Sequence, residues 1–226
     1  IALELARKGL KVIGTATTDA GAVKIREALV AFPGCDGRTL NVTDAAAADA
    51  LVDAIVKEHG GVQVLVNNAG ITRDNLSMRM KDDEWDAVLQ TNLTSVFRLS
   101  RAVMRGMMKA RWGRIINISS VNGQKGQFGQ SNYSTAKAGL HGFTMALSQE
   151  LASKGVTVNT VSPGYIGTDM VKAIREDVLE KIVAGVPVKR LGTPEEIASI
   201  CCWIASDDGG YATGADFSLN GGIHTG

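Results

Sequence analysis

The stretch Arg114-Ile-Ile-Asn-Ile-Ser119 decides the fold. It is short and nearly continuously apolar, which suits a parallel strand covered on both faces rather than one with a wet side. On either side, segments 82–110 and 132–153 carry apolar residues at three- and four-residue spacings, the pattern of covering helices. The alternation continues outward. Lys11-Val-Ile-Gly-Thr-Ala16, Arg38-Thr-Leu-Asn41, Val64-Leu-Val-Asn67, Val156-Thr-Val-Asn-Thr-Val161 and Phe217-Ser-Leu-Asn220 are the other predicted strands, and 21–31, 44–59 and 194–205 the other predicted helices. No linker or repeat interrupts them. Strands alternating with helices make βαβ units, and right-handed crossovers then predict an α/β, Rossmann-type doubly wound parallel sheet as a single domain over 1–226. Asp44 and Thr193, the latter before Pro194-Glu195-Glu196, read as helix caps. Gly113 is the expected stop of the long helix.

A chain of 226 residues is long enough to bury one continuous core. With 45% hydrophobic residues and a formal net charge of +1, it has neither the composition of a disordered chain nor the charge of a polyanion binder, so nucleic acid is not an expected partner. No apolar run has bilayer length, and Ile1 to Leu10 lacks the sections of a signal peptide. A soluble, cytoplasmic protein is expected. Cys35, Cys201 and Cys202 have no metal or redox spacing and read as reduced packing residues. His59, His141 and His224 have no spaced partners, so no metal is expected, and they read as surface or helix residues. The N-x-S/T matches at Asn41, Asn92, Asn117 and Asn132 read as chance.

Ile1-Ala-Leu-Glu-Leu-Ala-Arg-Lys-Gly9 reads as the second half of a helix, followed by a strand rather than preceded by one. A dinucleotide fold places its glycine-rich phosphate cradle at the first strand-to-helix turn. The pattern therefore predicts that roughly 20 residues, one strand and a turn, precede Ile1 in the working protein.

Tyr133-Ser-Thr-Ala-Lys137 carries the chemistry. Four residues apart on a helix, the two side chains share one face, and a lysine charge beside a phenol lowers its pKa toward proton donation near neutrality. Ser119-Ser120 ends the predicted strand thirteen positions upstream, on the rim where parallel sheets place ligand-binding groups. A serine hydroxyl there can polarise a carbonyl. Asn67-Asn68-Ala69-Gly70 ends another strand and reads equally as turn chemistry. Asn92 lies inside the long helix, where a polar group facing the sheet needs a partner or marks a local kink.

Together these motifs resemble the short-chain dehydrogenase/reductase family over essentially the whole chain. The resemblance implies that Tyr133 is the general acid, that Lys137 lowers its pKa and binds the nicotinamide ribose, that Ser120 orients the carbonyl, and that Asn92 holds a relay water. It also implies that Asn68, Ala69 and Gly70 line the cofactor and that Pro163, Gly164, Tyr165, Ile166, Gly167 and Thr168 close over it. The family's N-terminal glycine motif does not occur here. NADPH is the expected cofactor: Gly14-Thr-Ala-Thr-Thr18 lacks the carboxylate that bonds a ribose 2′-hydroxyl, and Thr17 and Thr18 can donate to a 2′-phosphate. Asn41 and Val42 fall where the family contacts adenine.

Two subfamilies show through. Residues ~1–111, with Leu40-Asn-Val-Thr-Asp44, Gly70-Ile-Thr-Arg-Asp74-Asn-Leu76 and Phe97-Arg-Leu-Ser-Arg-Ala-Val-Met104, look like the 3-oxoacyl-ACP reductases of fatty-acid synthesis. Residues ~112–226, with Trp112 through Gln130, Ser162 through Arg175 and Gly214 through Gly222, look like the acetoacetyl-CoA reductases of polyhydroxybutyrate synthesis. A chimera joined near 111–120 is the expectation; one divergent gene is the alternative. The second resemblance places Asp74, Gln127, Phe128, Gln130 and Tyr165, with Ser120, around a short acyl group. A loop with its aromatics in local packing is the structural alternative. Lys109, Arg111 and Arg114 end the long helix, where they complement its dipole or meet an acidic carrier or CoA phosphates. The implied reaction is reduction of a 3-oxoacyl thioester, acetoacetyl-CoA first and 3-oxoacyl-ACP second. A sugar or steroid ketone and a non-catalytic nucleotide-binding regulator are the remoter readings. The family also implies a homotetramer.

Overall fold

The computed structural model describes residues 1–168, 171 and 175–225. In chain order it runs α1 (Ala2–Arg7), β1 (Ile13–Ala16), α2 (Asp19–Leu29), β2 (Asp36–Thr39), α3 (Ala45–His59), β3 (Val64–Asn67), α4 (Asp82–Leu89), α5 (Ser95–Ala110), β4 (Gly113–Ile118), α6 (Val121–Lys125), α7 (Ser131–Leu151), β5 (Val156–Pro163), α8 (Glu176–Gly185), α9 (Pro194–Ala205) and β6 (Asp216–Leu219). All named strand pairings are parallel: β1 with β2, and β3, β4, β5, β6 in that order as a second sheet. This is the α/β architecture expected from the alternating pattern.

Strand β4 is buried at all six positions, and its period of two divides the core. Ile115, with Val156 and Val158 of β5, packs on Met107 of α5 and Leu147 and Leu151 of α7. Ile116 and Ile118, with Val161, face Ile197, Cys201 and Ile204 of α9 and Leu5 of α1. Each such side chain contributes roughly 1.5–3 kcal/mol of burial, so the helices are pinned to both faces. Cys201 is a packing residue; burial pushes its thiol up to about 12. Between β1 and β3, which pair in different sheets, lies a cavity of about 870 Å³ walled by Leu5, Val12, Gly14, Leu65 and Val66, with Asn68 and Ala69 among its lining residues. Among the described residues, no helix is long and apolar enough to cross a membrane.

The structure corrects several boundaries. Strand β2 begins at Asp36, not Arg38, because the Asp36 carboxylate is held by Arg26 at 2.7 Å and Arg38 at 2.6 Å. These partners let a charged residue occupy a strand whose apolar residues, Leu40 and Val42, pack just beyond its end. Helix α5 stops at Arg111, which adopts φ 53° and donates its guanidinium to the Ser153 carbonyl. Gly113 instead opens β4, where a Cβ would lie 2.6 Å from the Met107 sulfur. The predicted helix 82–110 is interrupted by a π turn at Gln90–Thr94. Helices α6 and α8 had no counterpart in the pattern: α6 is five residues long, and α8 buries none of its residues fully. Asp44 and Thr193 cap as expected, through bonds from Ala47 and Glu196 amides.

Candidate active site

Parallel pairing brings the C-terminal ends of β3, β4 and β5 to one rim. Asn67 is in register with Asn117, Ile118 with Val161, and the Ser119 amide donates to the Val161 carbonyl at 2.7 Å. Asn68–Gly70, Ser119–Ser120 and the segment after Pro163 therefore leave the sheet on the same side, the usual ligand edge of an open α/β sheet.

Ser120 is the N-cap of α6, with extended φ −167°, and its hydroxyl accepts the Asn122 amide at 3.2 Å. That cap turns the chain so that α6 lies against α7. Gly123 permits the approach: a Cβ there would sit 2.8 Å from the Lys137 carbonyl carbon and 2.9 Å from its Cβ. Asn132 anchors the first turn of α7, donating to the carbonyls of Arg73 and Glu84 and accepting the Tyr133 amide at 2.7 Å. One turn on, Lys137 is 4% exposed, its Nζ 5.7 Å from the Tyr133 ring centroid.

Burial pushes the Tyr133 phenol above its ordinary 10; a hydrogen bond with Ser120 opposes this, and the Asp74 carboxylate adds to it. Burial also brings Lys137 down to about 8. The Lys137 ammonium donates to the Ile118 carbonyl at 2.7 Å. A neutral phenol beside a bonded serine hydroxyl is a proton donor in place at pH 7.

Asn92 sits in the π turn and is fully buried. Its Oδ1 accepts the Ile71 amide at 2.8 Å and its Nδ2 donates to the Ile71 carbonyl at 2.9 Å, so the side chain acts as a strand-like partner for the loop after Gly70. The extra residue of the turn aims it there, a recurrent use of π turns. A Cβ on Gly70 would lie 3.4 Å from Asn92 Oδ1 and 3.6 Å from Lys137 Nζ, so glycine lets this loop pass between them.

The residues expected around an acyl group divide. Gln130 donates to Asp74 at 2.9 Å and accepts from Asn122 at 3.0 Å, which ties Asp74 to the Ser120 cap. Phe128 is 86% exposed and Gln127 accepts from Lys125, both in the loop beside them. Tyr165 lines a separate cavity of about 460 Å³ with Ile166, Val188 and Trp203. The Ile166 bridge to Gly192 and the Gly167 amide on the Gly192 carbonyl hold the segment after Gly164, while Thr168 is exposed. Residues 169, 170 and 172–174 of the resembling stretch lie outside the described residues.

At the other end, Thr17 and Thr18 are exposed. Thr18 caps α2 by accepting the Gly21 amide, which leaves its hydroxyl proton to give, and the nearby Asp19 carboxylate is engaged by Thr39 at 2.6 Å. Asn41 spends Oδ1 on Thr43, and Val42 is buried. Arg114 leaves the basic cluster: it is buried, stacked 4.3 Å over Trp112, and bonded to the Ser206 and Gly113 carbonyls. Lys109 and Arg111 remain at the surface. Sequence reading passed over Asn132, a position it took for a chance sequon, and Gly123; the only signals are adjacency to Tyr133 and to Ser120.

A parallel α/β sheet with a buried lysine, a phenol and a serine hydroxyl on its C-terminal rim defines a nucleotide-dependent oxidoreductase. The family described as enoyl-(acyl carrier protein) reductase matches residues 1–224, and the chain belongs to the short-chain dehydrogenase/reductase family. It is 67% identical over 186 residues to the acetoacetyl-CoA reductase of Cupriavidus necator, covering 82% of this chain and 76% of that protein. It is 54% identical over 224 residues to the 3-oxoacyl-[acyl-carrier-protein] reductase FabG of Vibrio cholerae, covering 99% and 91%. Against FabG of Escherichia coli K12 it is 54% identical over 226 residues, again covering 99% and 91%.

Proposed function

We propose that this oxidoreductase reduces the 3-keto group of an acyl thioester with NADPH, acetoacetyl-CoA being the substrate and 3-hydroxybutyryl-CoA the product. The juxtaposition of Ser120, Tyr133 and buried Lys137 carries the reading. The 67% identity to an acetoacetyl-CoA reductase supports the CoA ester. The second reading, a 3-oxoacyl-ACP substrate, is favoured by a 54% identity that runs over 99% of the chain. The two-part resemblance, joined near 111–120, belongs to this proposal and rests on the motifs alone, since the 186-residue match to the acetoacetyl-CoA reductase is longer than residues 112–226.

The donor set suits a nicotinamide dinucleotide phosphate. Thr17 and Thr18 offer hydroxyl donors with Asp19 already engaged, Asn41 and Val42 sit at the adenine side, and Asn68, Ala69 and Gly70 lead to Lys137 and Asn92. Pro163, Gly164, Ile166 and Thr168 form the covering segment. When bound, the cofactor supplies the hydride that reduces the keto carbon. Ser120 and Tyr133 hold the carbonyl oxygen, and Tyr133 gives it the phenolic proton, leaving a secondary alcohol. Lys137 binds the ribose and stabilises the tyrosinate, and the unused lone pair and N–H of Asn92 hold the water that returns the proton. Asp74, Gln127, Phe128, Gln130 and Tyr165 surround the acyl end. Exposed Phe97 and Met145 on α5 and α7, and Trp203 and Tyr211 on the C-terminal side, support a homotetramer with two kinds of interface, and the compartment in this reading is the cytoplasm.

The deciding assay follows NADPH oxidation with acetoacetyl-CoA beside acetoacetyl-ACP, with NADH as control. Faster turnover of the CoA ester with NADPH is expected. Preference for the carrier-bound ester moves the enzyme to the second reading, and no oxidation of either favours a nucleotide-binding regulator.

A further inference from the structure

His141 lies one turn beyond Lys137 on α7, half-buried behind the catalytic rim. Its Nε2 is 3.0 Å from Ser119 Oγ, 3.3 Å from Ser162 Oγ and 3.8 Å from Asp216 Oδ2. The Ser119 hydroxyl donates to the Lys137 carbonyl at 2.9 Å, and the Ser162 hydroxyl donates to Asp216 Oδ1 at 2.7 Å. Each hydroxyl has one proton, and both are spent. Toward His141 the two serines can therefore only accept, so the imidazole carries a proton on Nε2. The neighbours decide the tautomer. Gln124 of α6 completes the unit by donating to Asp216 Oδ2 at 2.6 Å.

This unit joins β4, β5, β6, α6 and α7 around one turn of helix. Two hydrogen bonds cross between the end of β4 and Lys137: Ser119 gives to the lysine carbonyl, and the lysine ammonium gives to Ile118. Ser120 follows directly. The separation of Ser120 from Tyr133 and Lys137 thus depends on the rotamer of Ser119, and that rotamer is held by the donor on His141. Misplacing a catalytic group by about 1 Å can cost on the order of 10²-fold in rate.

We propose that His141 is a positioning residue, whose Nε2–H orients Ser119 and through it fixes Lys137 against the Ser120 strand end, with Ser162 and Asp216 holding the imidazole in place. The consequence for rate rests on the thioester-reductase reading; the hydrogen-bond assignment does not.

The test uses the full chain with His141→Leu, His141→Gln, Ser119→Ala and the Leu/Ala double variant. Kinetics are read with acetoacetyl-CoA and NADPH, and the imidazole nitrogens of the wild type by ¹⁵N NMR. His141→Leu should lower kcat about tenfold while the KM for the thioester stays within about twofold. His141→Gln, which keeps a side-chain N–H donor, should restore kcat to within about threefold of wild type. In the Ser119→Ala background the Leu substitution should add less than about twofold, since the two act through one bond. Equal losses for Gln and Leu, or additive losses in the double variant, overturn the proposal. So does a wild-type spectrum with the proton on Nδ1 alone. If the wild type turns over no 3-oxoacyl thioester, the functional reading falls, and the NMR assignment still decides the His141–Ser119 contact.

Discussion

Lys137 Nζ donates to the carbonyl oxygen of Ile118 at 2.7 Å, so the buried ammonium is tied to the strand that ends in Ser120 rather than to the phenol one turn before it. Burial holds this lysine down to about 8, against an ordinary 10.5. A lysine lowered on folding binds fewer protons than in the unfolded chain between those two values. Its contribution to stability therefore rises as pH climbs from about 8 toward 10.5 and is least favourable below about 8. Lys137→Met is expected to abolish turnover. In thermal melts the variant should gain on wild type at pH 7, with the gap closing as pH is raised toward 10. A gap independent of pH over that range would contradict the buried charge.

Tyr133 is expected to act as an acid that keeps its proton until well into the alkaline range, since burial raises it above 10 and the Asp74 carboxylate adds to that shift. Tyr133→Phe should lose about 10²–10⁴-fold in kcat with the fold intact, the usual worth of a general acid. Asp74→Asn keeps the acceptor for Gln130 and removes the negative charge. The alkaline fall in the reduction rate should then begin at lower pH than in wild type. A pH–rate profile of both proteins checks the direction, and a shift upward would exclude Asp74 as a neighbour of the phenol.

Asn92 gives the loop after Gly70 a side-chain substitute for a strand partner, satisfying both backbone groups of Ile71. Asn92→Leu leaves a buried donor and acceptor unpaired, at about 1–3 kcal/mol each. Urea denaturation should show a lower midpoint, and kcat should fall because the same loop passes Lys137 Nζ. Asn92→Asp keeps the acceptor but places a charge there, and should be no better than Leu at pH 7.

Much of this was legible in the sequence, and the limits have physical causes. Strands buried on both faces announce themselves by continuous apolar runs, which is why β4 and β5 read clearly; β3, only partly buried, reads by the same apolar run. Strand β2, whose first residue is an aspartate paired with Arg38 two positions on and with Arg26 ten positions back on α2, reads two residues late. Tyr133, Lys137 and Ser120 were legible because their spacing follows helix and strand geometry. His141 was not: its role depends on Ser162 and Asp216, 21 and 75 positions away, and on which hydroxyls have already spent their protons. The split of helix 82–110 was legible only as a buried asparagine in need of a partner, and the partner became visible only when the loop folded back. Arg114 looked like part of a basic surface because sequence shows charge and not the Trp112 ring that covers it.

Gly123 sets how closely α6 approaches the lysine turn of α7. The Cβ of Gly123→Ala would meet backbone atoms, at 2.8 Å from the Lys137 carbonyl carbon and 2.9 Å from the Ala138 amide nitrogen, so no side-chain rotation relieves the contact. Helix α6 must then move, and with it Ser120, its cap. Overpacking of this kind costs typically about 1–3 kcal/mol. Because Ser120 shifts relative to Tyr133 and Lys137, kcat should fall about tenfold or more, beyond what lost stability explains at a temperature well below the melt. Gly142, one turn past Ala138 on the same helix, has no atom within 4 Å of its Cβ position and is the matched control. Gly142→Ala should leave kcat unchanged and hold or raise the melting temperature, since alanine is favoured over glycine inside a helix by about 1 kcal/mol. Equal kinetics for the two alanine variants would show that the α6–α7 contact does not set the geometry of the site.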